Sequence, residues 1–143
     1  MPAAQDSIII NVPKEKFFEV ITDFEKYPEF IPEMKSAQVV EHKDNEYIVD
    51  FTVTLIKKID YRLKLIAHPY TKLEWNLVKG FFKKNYGYWE IEELGPEQIK
   101  ATYYVELEMG MLVPKKILNE LAQIGLPRML KNFKERAESL YKS

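Results

Sequence analysis

Pro114-Lys-Lys-Ile-Leu-Asn-Glu-Leu-Ala-Gln-Ile-Gly-Leu-Pro-Arg-Met-Leu130 opens the last stretch of the chain, which continues to Ser143. Leu118, Ala122, Leu126, Leu130, Phe133, Ala137 and Leu140 follow one another at steps of four or three. That spacing is one apolar face on a helix of about 3.6 residues per turn. Ile117, Leu121 and Ile124 widen the face, while Lys115, Lys116, Lys131, Lys134 and Lys142 mostly fall off it. At ~1.5 Å per residue the helix is ~40 Å long, so it needs a long apolar partner. Only the strand-like sequence before it qualifies. The expectation is a sheet that grips this helix, with a ligand cavity between the two. Pro127 has no N–H for the carbonyl of Gln123, and Gly125 loosens the turn before it. Because the four-step row runs unbroken through Leu126, one kinked helix is predicted rather than two helices.

Upstream, Asp6 to Val12 is rich in Ile and reads as a first strand. Pro13 pre-sets the first turn of a helix, whose buried face is Phe17, Val20, Ile21 and Phe24. Pro28 and Pro32 then leave space for one short second helix at most. From Lys35 to Gly110 the period changes to two. Tyr47, Val49, Phe51, Val53 and Leu55 alternate with polar positions, as do Ile59, Tyr61, Leu63, Leu65 and Ala67. Leu73, Trp75 and Leu77 repeat the pattern, and so do Ala101, Tyr103, Val105, Leu107 and Met109. One apolar and one charged face is the mark of an antiparallel sheet covered on one side. Turn signals stand between the runs at Lys43-Asp-Asn, His68-Pro-Tyr-Thr, Val78-Lys-Gly and Leu94-Gly-Pro-Glu. Between Tyr86 and Leu94 the inner face stays open, because Tyr86 and Tyr88 compete for it with Trp89 and Ile91. About six strands follow the opening unit, and the fold class is α+β with helices segregated to one face.

Composition narrows the function classes. The 143 residues suit a single domain, 1–143, large enough for a real core. Lys plus Arg number 21 against 22 Asp plus Glu, so no DNA partner is expected of a chain that lacks a basic balance. With no cysteine, disulfides and thiolate metal sites are excluded. Ser7-Ile-Ile-Ile10 is too short for a signal segment, and no apolar run is long enough to span a bilayer. A cytoplasmic location is the expectation.

The order of elements, together with three segments, resembles the START-like helix-grip superfamily. The segments are Asp23-Phe-Glu-Lys-Tyr-Pro-Glu-Phe-Ile-Pro32, Trp75-Asn-Leu-Val-Lys-Gly-Phe-Phe-Lys-Lys-Asn-Tyr-Gly-Tyr-Trp89, and Val113-Pro114 leading into the last helix. Similarity is greatest to the bacterial branch grouped with polyketide cyclases, dehydrases and lipid-transport proteins. The resemblance implies a curved seven-strand antiparallel sheet wrapped round a long C-terminal helix, with two short helices after the first strand and an elongated apolar cavity. It does not imply one activity. Such relatives include aromatase/cyclases, carriers of lipids and hormones, quinone-binding proteins and a ribosome-association toxin.

Chemistry is weakly signalled. No Gly-x-Ser-x-Gly elbow, phosphate loop or His-x-x-x-His is present. His42 and His68 both read as turn residues. Two histidines without a thiol give no metal site, and no cofactor is expected. Asp50, Asp60, Arg62 and Lys64 fall on the outer face, where cross-strand ion pairs account for them. Tyr61 and Tyr103 point inward and are the weak catalytic candidates, each able to orient or protonate a carbonyl. Phe51, Tyr61, Trp75, Phe81, Trp89, Tyr103, Leu107, Met109, Leu118, Ala122 and Leu126 form the expected ligand-binding set, apolar with few polar groups. The adjacent Phe81 and Phe82 must point to opposite faces, which puts one of them on the surface or at a cavity mouth. Met109 to Val113 suits a pliable entrance.

The expected function is binding or transport of a small hydrophobic ligand such as a lipid, quinone or polyketide-like molecule. The alternative is an aromatase/cyclase-type enzyme. A third reading is a ribosome-association-toxin-like interaction protein. It would act through the basic outer face of the last helix, which also suits peripheral contact with an anionic membrane.

Overall fold

Pro13 sets the first corner of the chain. Its carbonyl accepts the N–H groups of Lys16 at 3.0 Å and Phe17 at 3.3 Å, so it caps the first helix from the position before it. The computed structural model describes residues 3–54, 58–109 and 125–142, apart from the side chain of Met109. Strand β1 (Ala3–Ile10) is followed by helix α1 (Lys14–Thr22) and a 3-10 helix at Phe24–Glu29. Six strands come next: β2 (Met34–Lys43), β3 (Glu46–Thr54), β4 (Lys58–His68), β5 (Lys72–Gly80), β6 (Phe82–Gly95) and β7 (Gln98–Met109). Helix α2 (Leu126–Lys142) closes the described structure. The expected first strand begins and ends earlier than its Ile-rich centre suggests, because backbone pairing with β7 carries it from Ala3 to Ile10.

All seven strands form one antiparallel sheet in the order β1-β7-β6-β5-β4-β3-β2. Consecutive strands are neighbours from β2 to β7, and β1 returns to the free side of β7. Alternation along each strand sends one row towards the helices and the other to solvent. The inward rows are Val49, Phe51 and Val53 on β3; Ile59, Leu63, Leu65 and Ala67 on β4; Leu73 and Trp75 on β5. All but Val53 and Ile59 join α1, the 3-10 helix and α2 in one buried core, and those two form a second cluster with Phe82. Outside, Arg62 meets Asp50 on β3 through two hydrogen bonds at 2.5 and 3.0 Å, and Lys64 pairs with Glu46 at 3.0 Å. These are the cross-strand ion pairs that the alternation predicts.

The open question on β6 is resolved by a bulge. The register slips between Phe82 and Lys84, so Phe82 faces inward and the following inward row is Asn85, Gly87, Trp89 and Ile91. An extra residue on one strand shifts which parity faces the core. Tyr86 and Tyr88 therefore lie outside, where Tyr88 stacks on Tyr104 at 5.1 Å.

The buried side of α2 is Leu126, Leu130, Phe133 and Ala137. Leu140, expected on that face, is 50% exposed. The step of four from Ala137 reaches Tyr141, which packs against the core and gives its hydroxyl hydrogen to Glu97. A helix of about 3.6 residues per turn turns a three-step residue further aside than the row tolerates at its end. Leu118 and Ala122, and the kink expected at Pro127 with its upstream half, involve residues outside those described.

Candidate functional site

Phe133 stands where two lines of inward aromatics meet. One runs from Phe82 to Tyr61 (5.2 Å between centroids), Phe51 (5.4 Å), Tyr27 (6.2 Å) and Phe133 (5.3 Å). The other runs from Trp75 to Tyr103 (5.4 Å), Trp89 (5.0 Å) and Phe133 (5.2 Å). Most of these contacts are edge-on, the geometry that favours aromatic pairs. Strands β3 to β7 supply one side of the arrangement, and the 3-10 helix and α2 the other.

Two glycines make this packing possible. A Cβ on Gly87 would come within 2.6 Å of the Trp75 ring and 2.4 Å of the Tyr104 carbonyl oxygen. Its absence lets the Trp75 indole lie across β6 and donate its N–H to Asn85 Oδ1 at 3.2 Å. Gly80 has φ 131°, and a Cβ there would meet the Cα of Tyr61 at 2.5 Å. Only glycine holds that conformation at so close an approach.

Three tyrosine hydroxyls lie in this aromatic group. Tyr27 donates to the carbonyl of Ile21 at 2.5 Å, fastening the 3-10 helix to α1. Burial, with smaller contributions from Tyr103 and Tyr61, pushes its phenol well above the ordinary value. Burial likewise pushes up Tyr61, and burial together with Tyr61 pushes up Tyr103. No hydrogen-bond partner is recorded for either hydroxyl among the described residues. Both side chains belong to the inward rows of β4 and β7, opposite Phe51 and Trp89.

The expected binding residues divide on this geometry. Phe51, Tyr61, Trp75, Trp89 and Tyr103 come together in the two aromatic lines. Trp89, only 2% exposed, is enclosed by Phe17, Tyr103 and Phe133. Leu126 is buried on α2. Phe81 is half-buried beside the buried Phe82, and Leu107 packs with Val53, Ile59 and Phe82 in a second cluster. Met109 pairs in register with Phe82, and its side chain lies outside the description, as do Leu118 and Ala122. Sequence reasoning passed over Tyr27, which sits in a proline-bracketed segment without periodicity, and Asn85. Counting back from Trp89 by twos reaches Asn85 without crossing the bulge, whereas counting forward from Phe82 misses it.

Both histidines are at the surface. His42 stacks on Tyr47 at 3.9 Å, and His68 contacts Glu74 at 2.9 Å. Among the described residues no group of three His, Asp or Glu side chains could hold a metal ion. The basic face of α2 is less available than its charges suggest. Lys131 pairs with Glu135, Lys134 with Glu138 and with the carbonyl of Ile9, and Arg136 with Glu29 over the Phe30 ring. No described helix is long and apolar enough to cross a membrane.

Comparison with known proteins places this geometry. The family model described as polyketide cyclase/dehydrase and lipid transport matches residues 10–134. A ribosome association toxin, RatA of Pseudomonas aeruginosa, is 28% identical over 140 residues, covering 96% of each chain. A START superfamily protein from Mycobacterium smegmatis superposes with a TM-score of 0.84 at 20% identity, over 96% of this chain and 98% of that one. The ZhuI aromatase/cyclase from Streptomyces sp. R1128 also gives 0.84, at 14% identity over 95% and 93%. At such identities the two structures establish a shared fold.

Proposed function

From the premise that the chain belongs to the polyketide cyclase/dehydrase and lipid-transport family, we propose that it binds a small hydrophobic ligand between the sheet and the C-terminal helix. The observation that carries this reading is the inward aromatic surface, which holds two desolvated phenols without a hydrogen-bond partner among the described residues. A plain core would seal such hydroxyls with protein partners. Removing the ligand's apolar area from water at ~25 cal/mol per Å² would drive binding, and the few polar groups would set orientation.

The aromatase/cyclase alternative draws less support. A general acid or base works best with a pKa near the operating pH, whereas burial moves the Tyr61 and Tyr103 phenols away from neutrality. They suit hydrogen-bond donation better than proton transfer. Native mass spectrometry followed by solvent extraction tests the binding reading. It expects a co-purifying apolar molecule, lost on Leu118→Arg and retained on Tyr103→Phe. Loss of substrate turnover on Tyr103→Phe, with the fold intact, would favour the enzyme instead.

A second reading rests on RatA, whose alignment spans nearly the whole of both chains: action on the ribosome. Sucrose-gradient profiles of bacterial ribosomes with added protein test it, expecting a changed ratio of subunits to joined particles. An unchanged ratio at saturating protein opposes it. The charges of α2 are a weak route to such contact, since Lys131, Lys134 and Arg136 already have carboxylate partners.

A further inference from the structure

Asn85 is 6% exposed and lies in the inward row of β6. An indole N–H can only donate, so the amide must turn Oδ1 towards Trp75. Its NH2 group then points elsewhere. That group has no hydrogen-bond partner among the described residues. The NH2 is thus a buried donor without a partner among the described residues, in an inward row beside aromatic rings. Trp75 ties Asn85 to Tyr103, whose hydroxyl also lacks a partner among the described residues, as does that of Tyr61.

We infer that the Asn85 NH2 group, together with the Tyr61 and Tyr103 hydroxyls, receives an uncharged oxygen acceptor on the ligand, a ketone- or quinone-type carbonyl, and selects it over a carboxylate or phosphate. This rests on the ligand-binding reading above. The three groups are neutral donors, which match a carbonyl. Charge argues against an anion. No Lys or Arg of the described strands occupies an inward register position, and the bulge residues Lys35 and Lys83 are exposed. The charged residues of the strands that share the face are both acidic: Asp6, opposite Tyr103, and Glu93, opposite Ile99 at the far end of β7. Among the described residues, the strands would offer a desolvated anionic head group no cation there, and a carboxylate beside it.

Three probes of one shape separate the possibilities: 2-acetylnaphthalene, 2-naphthoate and 2-ethylnaphthalene, titrated calorimetrically into the purified protein at neutral pH. The ketone should bind about tenfold tighter than the hydrocarbon, the equivalent of one or two net hydrogen bonds. Naphthoate should bind more weakly than both. Asn85→Asp keeps an acceptor for Trp75 but removes the donors, and should abolish the preference for the ketone. Tyr103→Phe, which removes one oxygen, should reduce that preference. Equal binding of ketone and hydrocarbon, or tightest binding of naphthoate, overturns the inference but leaves the ligand-binding reading standing. Binding of none of the three overturns that reading itself.

Discussion

Tyr61, Tyr103 and Tyr27 connect the site to stability through their protons. Each phenol is pushed above the ordinary value of 10.0, chiefly by burial. The neutral form is favoured in the folded state, so the unfolded chain loses its protons first as the pH rises. This stability is fully present below about pH 10 and falls above it, by at most ~1.4 kcal/mol per pH unit for each group. Absorbance at 295 nm during alkaline titration should show these phenolates appearing only with unfolding, as followed by circular dichroism. Tyr61→Phe with Tyr103→Phe should make the alkaline unfolding less steep. Ionisation of all nine tyrosines before any loss of structure would contradict the placement of these three. Tyr104, on the outer face, is pushed up to about 12 by its hydrogen bond to Glu106, and should titrate late with the fold still present.

At the scale of elements, β6 is the strand on which the site depends. Gly87→Ala would place a methyl against the Trp75 ring and the Tyr104 carbonyl. The backbone oxygen cannot yield as a side chain would, and a cost of about 2–3 kcal/mol is expected from overpacking. Urea denaturation with Trp fluorescence measures it. Phe133→Ala removes the ring where both aromatic lines meet and should cost ~3–5 kcal/mol. On α2, Lys131→Met should change stability by less than ~0.5 kcal/mol, because its pair with Glu135 is largely exposed. Lys134→Met should cost more, since Lys134 also holds the Ile9 carbonyl and Glu138 also accepts the Asn11 N–H. Equal effects at the two lysines would show that this network adds nothing.

Much of this element layout is legible in the alternation of residues. Val49-x-Phe51-x-Val53 and Leu63-x-Leu65-x-Ala67 declare their inward faces without help, because each strand is regular along those residues. The same holds for the four-step row of α2 until Ala137. Legibility stops at irregular backbone. The bulge after Phe82 reverses parity and hid Asn85, and the 3-10 helix hid Tyr27 because no period of 2 or 3.6 describes it. Both omissions are polar side chains buried among the aromatic rings.

For the whole molecule, an antiparallel sheet has its charged face outward and its aromatic face turned to the helices, and the inner side is the proposed place for a ligand. The outer face uses its charges on itself, through Arg62 with Asp50, Lys64 with Glu46 and Lys84 with Glu106. The measurement that tests this most directly is a ¹H–¹⁵N correlation spectrum of the protein titrated with 2-acetylnaphthalene. The chain has two tryptophans, so its indole N–H signals can be told apart. Saturable shifts of the Trp75 indole and the Asn85 side-chain amide are predicted, with the amides of Tyr86 and Tyr88 changing least. Saturation with those two signals unmoved, or shifts confined to the outer face, would contradict a ligand site between sheet and helix.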